Sequence, residues 1–211
     1  MDITFSLPSF VYPCTNFFYL LMRLVTDFLK QFVPLQASEI EYINLHLKSD
    51  SAKAGEYIVK QGEVCRKMIF LQEGICVMVY EKGGRAFIRD FIFENNMASV
   101  YESFLMGEPA PYSLKAITPS SYVYISQKVS QDLVAKIPVL KNFEMMMTQH
   151  IYLNMSRRFE SIITLSAEER YEELVNNRPR LLLEVPQYML ASYLGITNVA
   201  LSRIRKRVSD K

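Results

Sequence analysis

A chain of 211 residues with a hydrophobic share of 50% holds enough apolar material for two small domains with real cores. Its net charge of +2 singles out no partner. The three cysteines, Cys14, Cys65 and Cys76, are odd in number, widely spaced and without a CxxC pair, which argues against a zinc site and a disulfide framework. Free thiols in a reducing cytoplasm are the simple reading.

The first 21 residues are apolar and aromatic, but Pro8, Pro13 and Asn16 interrupt them and no basic segment precedes them. They fit neither a signal peptide nor a membrane span, and read as an extension or a strand lying on the body. Translation from Met22 is the alternative reading. Met22–Phe32 reads as a short amphipathic helix. Leu35–Leu47 reads as a second, capped by Ser38, with Glu39 and Glu41 in its first turn and Ile40, Ile43 and Leu47 on one face.

The texture changes at Ser51. From there to Ile125, β-rich runs alternate with glycine turns: Tyr57–Val59, Met68–Leu71, Ile75–Tyr80, Arg85–Phe93, Ser113–Ile117 and Tyr122–Ser126. Close strands of this kind predict an antiparallel roll or barrel, and Gly83-Gly84 predicts a hairpin. Val129–Leu165 is helical, with a break at Pro138 and a long helix after it. Phe143, Met147, Ile151, Met155 and Phe159 fall four apart, and Leu140, Met146 and Leu153 widen the stripe. About 40 Å of helix with such a stripe suits packing on its own roll and on a partner's copy. The run Met145–Met147 reads as adaptable packing and His150 as part of the same interface. Ser166 and Glu169 form a capping box for a helix over Ala167–Asn176, ended by Asn177 and Pro179, and Leu181–Val185 reads as a short strand.

Val185–Arg207 splits into two short helices around one glycine. Pro186 can open the first, Met189, Leu190, Tyr193 and Leu194 give it an apolar face, and Gly195 stops it. Thr197 or Asn198 can cap the second, with Leu201, Ile204 and Val208 as its buried stripe. Its other face carries Asn198, Ser202, Arg203, Arg205, Lys206 and Arg207. This is the helix-turn-helix pattern, which presents a polar, basic helix to a DNA major groove. A plain amphipathic helix with a solvated basic face is disfavoured by spacing. Gln187, Ala191, Gly195, Leu201 and Ile204 fall where the motif needs cap, close-packed residue, turn and core. The charge is local too: Arg203, Arg205, Lys206, Arg207 and Lys211 face only Asp210 over residues 197–211.

The order of these parts resembles the cyclic-AMP receptor protein / fumarate-nitrate reductase regulator (Crp/Fnr) family over residues 22–211. Ala54–Glu63, Ile69–Leu71 and Gly74 are similar to the start of the cyclic-nucleotide-binding roll. Ser166–Tyr171 resembles the linker helix. Val185–Gln187, Ala191, Leu194–Thr197 and Leu201–Arg205 are the most specific match and look closest to the Bacteroidetes-type branch. The resemblance implies an α+β chain: an antiparallel jelly-roll-like sensor, a long dimerisation helix and a C-terminal, winged-helix-like helix-turn-helix domain. The corresponding boundaries are 1–21, 22–128, 129–165 and 166–211. It implies a cytoplasmic homodimer on double-stranded DNA, with no membrane association and RNA polymerase as a further candidate partner.

Two departures bear on function. Members that bind cyclic nucleotides carry a Gly-Glu pair and a later Arg-Ser or Arg-Thr, whose Arg neutralises the cyclic phosphate. The matching stretch here, Tyr101-Glu102 to Ala110-Pro111-Tyr112, keeps only Glu102 as a candidate ligand-binding residue. A buried phosphate without its cation is strongly disfavoured. The chain is therefore not expected to bind cyclic AMP in the usual way. Its effector is another molecule, a partner or nothing, and no cofactor is expected. The recognition helix opens with Thr197-Asn198-Val199 in place of the familiar Arg-Glu pair, so the operator should differ, and the chain stops at Lys211 without room for a long wing.

The expected DNA contacts divide by chemistry. Thr197, Asn198 and Arg203 suit bases, with Asn198 matched to adenine and Val199 to a thymine methyl, while Gln187, Ser202, Arg205 and Lys206 suit phosphates. Iron–sulfur and haem sensing fail on inventory: the cysteines are scattered, and His46 and His150 are the only histidines. A cupin-like enzyme needs several histidines on its strands, and the roll contains none. The chain is read as a non-enzymatic regulator, with a sensor that docks on a protein through its basic tail as the alternative.

Overall fold

The computed structural model describes residues 25–209, which divide into two compact units, one ending at Arg157 and the other beginning at Arg158. The extension 1–21, Cys14, the start of the first predicted helix, Asp210 and Lys211 lie outside the described residues.

The first unit opens with helix α1 over residues 25–30 and α2 (Ala37–His46). Ser38 does not cap α2. Gln36 does, because its amide donates to the Glu39 carboxylate at 2.7 Å and its side chain accepts from the Glu39 amide, a full capping box two residues early. Strands follow in order: β1 (Lys48–Ala52), β2 (Tyr57–Val59), β3 (Lys67–Glu73), β4 (Ile75–Lys82), β5 (Arg85–Phe93) and β6 (Asn96–Ala98). Then come helix α3 (Tyr101–Met106), β7 (Ser113–Ala116) and β8 (Ser120–Ser126). They make two four-stranded antiparallel sheets, ordered β1-β8-β3-β6 and β2-β7-β4-β5.

Alternation along the strands divides the core in two. On β3 and β8, Ile69, Leu71 and Tyr122 point into the roll, where Val59, Cys76, Ile92, Val100, Tyr112 and Leu114 meet them. Phe70 and Val123, from the same strands, point the other way. They pack under Leu29, Val33, Ile43, Leu133, Leu140 and Phe143 of the surrounding helices. The Phe28 ring lies 5.5 Å from Phe70 and 6.3 Å from Phe143, edge-on to the latter. A strand buried on both faces reads as an unbroken apolar run, which is why Met68–Leu71 stood out in the sequence.

Two turns hold the roll in register. Gly83 and Gly84 have φ of +58° and +72° between Lys82 and Arg85, the twist a two-residue hairpin loop needs. Gly74 alone joins β3 of one sheet to β4 of the other at φ +92°. A Cβ there would stand 2.5 Å from the Pro119 carbonyl and 2.4 Å from Ser120 Oγ.

Helices α4 (Gln127–Lys136) and α5 (Val139–Thr164) flank the predicted break at Pro138, and Ser126 caps α4 by accepting from the Val129 amide. Leu140 and Phe143 of α5 are buried, whereas Met145, Met146, Tyr152, Leu153, Met155, Phe159, Ile162 and Ile163 are exposed. His150 is exposed and meets Asn154 at 2.8 Å. No helix among the described residues is long and apolar enough to cross a membrane.

The second unit contains α6 (Ala167–Asn177), α7 (Pro179–Glu184), α8 (Gln187–Leu194) and α9 (Asn198–Ser209). Ser166 accepts from the Glu169 amide and Glu169 from the Ser166 amide, the expected capping box. The strand expected at Leu181–Val185 is instead helix α7. Pro179 presets its first turn, and Leu181 is fully buried while Leu183 faces out, a helical rather than alternating pattern.

Gly74→Ala is expected to destabilise the protein by at least about 1–3 kcal/mol, through strain at a left-handed position against fixed backbone. Gly83→Asn, with open space around it, should change stability by less than about 0.5 kcal/mol. Thermal unfolding of the two variants checks the contrast.

Candidate functional site

Two places collect polar side chains whose packing alone does not require them. The first lies in the roll. β5 reads Ala86-Phe87-Ile88-Arg89-Asp90-Phe91-Ile92, with a charged pair in the middle of an apolar strand. Opposite it, Met78 pairs with Asp90 and the next residue, Val79, with Ile88, so Arg89 is the extra residue of a β-bulge. A bulge re-aims a side chain. Arg89 stacks 4.3 Å from the centre of the Tyr112 ring, donates to the Tyr80 hydroxyl at 3.1 Å, and pairs with Glu102 at 3.0 Å. Tyr112 donates to the other Glu102 oxygen at 2.8 Å and meets the Tyr80 ring edge-on at 5.2 Å. From α5, Met155 Sδ accepts from Arg89 at 3.2 Å.

Glu102 enters this cluster from the first turn of α3, a helix that Gly107 ends in a left-handed cap. Burial raises its pKa, but its own helix-terminal amide, the Tyr112 hydroxyl and the Arg89 guanidinium outweigh that and hold it below the usual carboxylate range. Burial works against charge on Arg89, yet Tyr112, Glu102 and Tyr80 together raise its pKa. Burial pushes the Tyr112 phenol well up, with Arg89 opposing and Glu102 adding to it, so it stays a neutral donor. The site thus holds one cation and one anion already matched.

The sequence offers Glu102 alone from the cassette stretch. The structure sets Tyr112 beside it, and β5 brings in an arginine from outside the cassette. The signal was the Arg89-Asp90 interruption of an apolar strand, legible only once the bulge is known. Cys76, elsewhere in the roll core, has its thiol pKa pushed up to about 11 by burial, with Ser120 opposing. Cys65 and Cys76 are both free and buried. Among the described residues no group of three or more His, Cys, Asp or Glu is placed to hold a metal ion.

The second place is the pair α8–α9. Pro186 stands one residue ahead of α8, at its N-cap. Leu190, Ala191, Tyr193 and Leu194 are buried, as are Tyr171, Leu174, Leu181, Leu201 and Ile204 of the same unit. Gly195 closes α8 at φ +70°. Its amide bonds Ser192 O at 3.1 Å and the Ile196 amide bonds Ala191 O at 3.0 Å, a Schellman cap. Thr197, rather than Asn198, caps α9, its hydroxyl accepting from the Ala200 amide at 3.2 Å.

Three arginines gather on the last turn of α8, where helix carbonyls favour cations. Arg158 donates to Tyr193 O and lies 3.7 Å from the centre of its ring. Arg170 donates to Leu194 O at 3.1 Å and Leu165 O at 2.6 Å, and Arg178 to the Tyr193 hydroxyl at 3.2 Å. No sequence pattern marks these arginines, because their partners, the carbonyls of Leu165, Tyr193 and Leu194 and the Tyr193 hydroxyl, lie elsewhere in the chain.

Of the expected DNA contacts, Asn198, Ser202, Arg203 and Lys206 are exposed along α9. Thr197 and Gln187 are exposed at the starts of α9 and α8, and Arg205 is half-buried. Val199 is exposed beside them. Glu168 of α6 holds Arg207 at 2.8 and 2.9 Å.

Residues 50–136 match the cyclic nucleotide-binding domain family. No curated protein matches the sequence. Among solved structures, FixK2 from Bradyrhizobium japonicum is similar at a TM-score of 0.68 and 15% identity, over 78% of this chain and 85% of that one. CLP of Xanthomonas campestris, described as a c-di-GMP responsive global regulator, gives 0.64 at 14% identity, over 83% and 92%. A CooA variant from Carboxydothermus hydrogenoformans gives 0.64 at 9% identity, over 86% and 83%. At these identities the likeness is one of fold. The chain has the fold of Crp/Fnr-type regulators, built around a cyclic nucleotide-binding roll.

Proposed function

We propose that this chain is a homodimeric, sequence-specific DNA-binding transcription regulator, of the Bacteroidetes-type branch, working in the cytoplasm. The observation that carries the reading is α9. It is anchored by Leu201 and Ile204, capped by Thr197, and turns Asn198, Ser202, Arg203 and Lys206 outward together. That is the form of a recognition helix, whose first residues reach base edges while basic residues behind them meet phosphates. Thr197, Asn198 and Arg203 read bases; Gln187, Ser202, Arg205 and Lys206 position the helix on the backbone. Arg207 is left out of the reading, being committed to Glu168.

Dimerisation follows from α5. Its exposed apolar side chains, from Met145 to Ile163, form a stripe that one chain leaves uncovered and a second copy would cover. Two recognition helices related by that axis would meet half-sites about one DNA turn apart. RNA polymerase is the partner expected once the dimer sits on a promoter.

Selection of bound sequences from random DNA, at moderate salt and without ligand, should return a two-fold symmetric motif. Failure to enrich any sequence, with or without cyclic nucleotides, would move the function to a sensor docking on a protein. Arg203→Ala should weaken operator binding by about 1–3 kcal/mol and relax one base position, and Lys206→Ala should weaken all sequences alike and reduce the salt slope by about 1. Fluorescence anisotropy over a salt series reads both. Leu153→Glu on α5 should give a monomer in light scattering and abolish high-affinity binding to the two-fold site.

A further inference from the structure

We infer that Arg89 ties the roll of this chain to its long helix and does there the work of an effector, joining the β4–β5 hairpin, α3 and α5. The inference rests on the regulator reading and names how that regulator's sensor works.

Arg89 bridges the roll and the long helix, through Met155 of α5. Its guanidinium is a rigid fork of donors, and its contacts come from separate elements: the Tyr80 hydroxyl on β4, the Glu102 carboxylate on α3, the Tyr112 ring before β7, and Met155 Sδ on α5. The Tyr101 hydroxyl adds a second link from α3 to α5, meeting Thr148 Oγ1 at 2.8 Å.

The same contacts close the site to a cyclic nucleotide. Tyr112, 1% exposed, fills the interior beside the guanidinium. The charge of Arg89 is matched by Glu102, so an arriving phosphate would meet a carboxylate beside the cation. The bulge makes the arrangement part of the backbone, since Arg89 is the unpaired residue that it re-aims.

The contacts are unequal. The Glu102 side chain is 46% exposed and Arg89 19%. A half-solvated ion pair contributes little, whereas loss of the guanidinium removes the ring stacking and every bridge at once. Arg89→Ala should therefore act much more strongly than Glu102→Gln, which keeps an acceptor for Tyr112.

The test uses the full-length protein and the operator returned by selection. Wild type is expected to bind without ligand, and millimolar cyclic AMP or cyclic GMP should leave the affinity unchanged. Arg89→Ala should bind on the order of tenfold more weakly, the size of typical coupling between separate sites, and Glu102→Gln only a few-fold. Arg89→Lys, which keeps the charge but not the fork, serves as the fold control and should fall between wild type and Arg89→Ala. Amide hydrogen exchange should accelerate over residues 150–157 of α5 in Arg89→Ala and stay unchanged in α6–α9. Wild-type operator affinity in Arg89→Ala, unchanged exchange over 150–157, or a gain in wild-type affinity with a cyclic nucleotide would each overturn the inference. If wild type binds no DNA, the regulator reading falls, and the exchange result alone decides whether Arg89 ties the roll to α5.

Discussion

The two central strands β3 and β8 carry apolar side chains on both faces, and the first unit depends on that constraint. Ile69, Leu71 and Tyr122 fill the roll, while Phe70 and Val123 seat the helices. A slip of one residue in the pairing of Phe70 with Val123 would exchange the two sets, leaving the helices without a floor and the roll without a core. The helices and the interior of the roll are therefore specified together. The pocket inherits this precision: Tyr112 and Glu102 come from segments pinned to that sheet or its partner, and one bulged residue in β5 decides what they surround.

The second unit is built on a different economy. Its helices are short, and α7 has only six residues, so no single helix is stable by length. Packing of Leu181, Leu190, Leu201 and Ile204 supplies the core, and caps supply the rest: Ser166 with Glu169, Thr197, and Gly195. Arg158, Arg170 and Arg178 on the end of α8 combine favourable helix-end electrostatics with specific donors to Tyr193 and Leu194. An outward-facing α9 is thus held from behind by apolar contacts and from the side by the arginines that fix its neighbour.

Much of this was legible in the sequence where the signal is local. The bounds of β5, the Gly83-Gly84 hairpin, the break at Pro138, the Ser166 box and the Gly195 turn all depend on residues adjacent in the chain. β1 carries no strand signal because Lys48-Ser49-Asp50-Ser51-Ala52 is polar and mostly exposed; β8 recruits it through backbone pairing and the Tyr122 hydroxyl, which donates to Asp50 at 3.2 Å. α7 was misread because Leu181-Leu182-Leu183 looks as much like a strand as a helix when its neighbours are unknown. α3 and its Glu102 were seen as a motif without their helix. Arg89 escaped notice because its partners lie on four other segments, and no periodicity in β5 reports a bulge.

The apolar stripe of α5 is buried at Leu140 and Phe143, half-buried at Met147 and Ile151, and exposed at Leu153, Met155 and Phe159. A side chain left bare in one copy gains its contacts only when a second copy arrives. In the proposed dimer, the far half of α5 then owes part of its stability to mass action rather than to the fold of its own chain. The melting temperature of such a protein rises with its concentration. Dilution would loosen the end of the long helix first and leave the roll standing. The amount of protein in the cell is then itself a signal that the chain can sense.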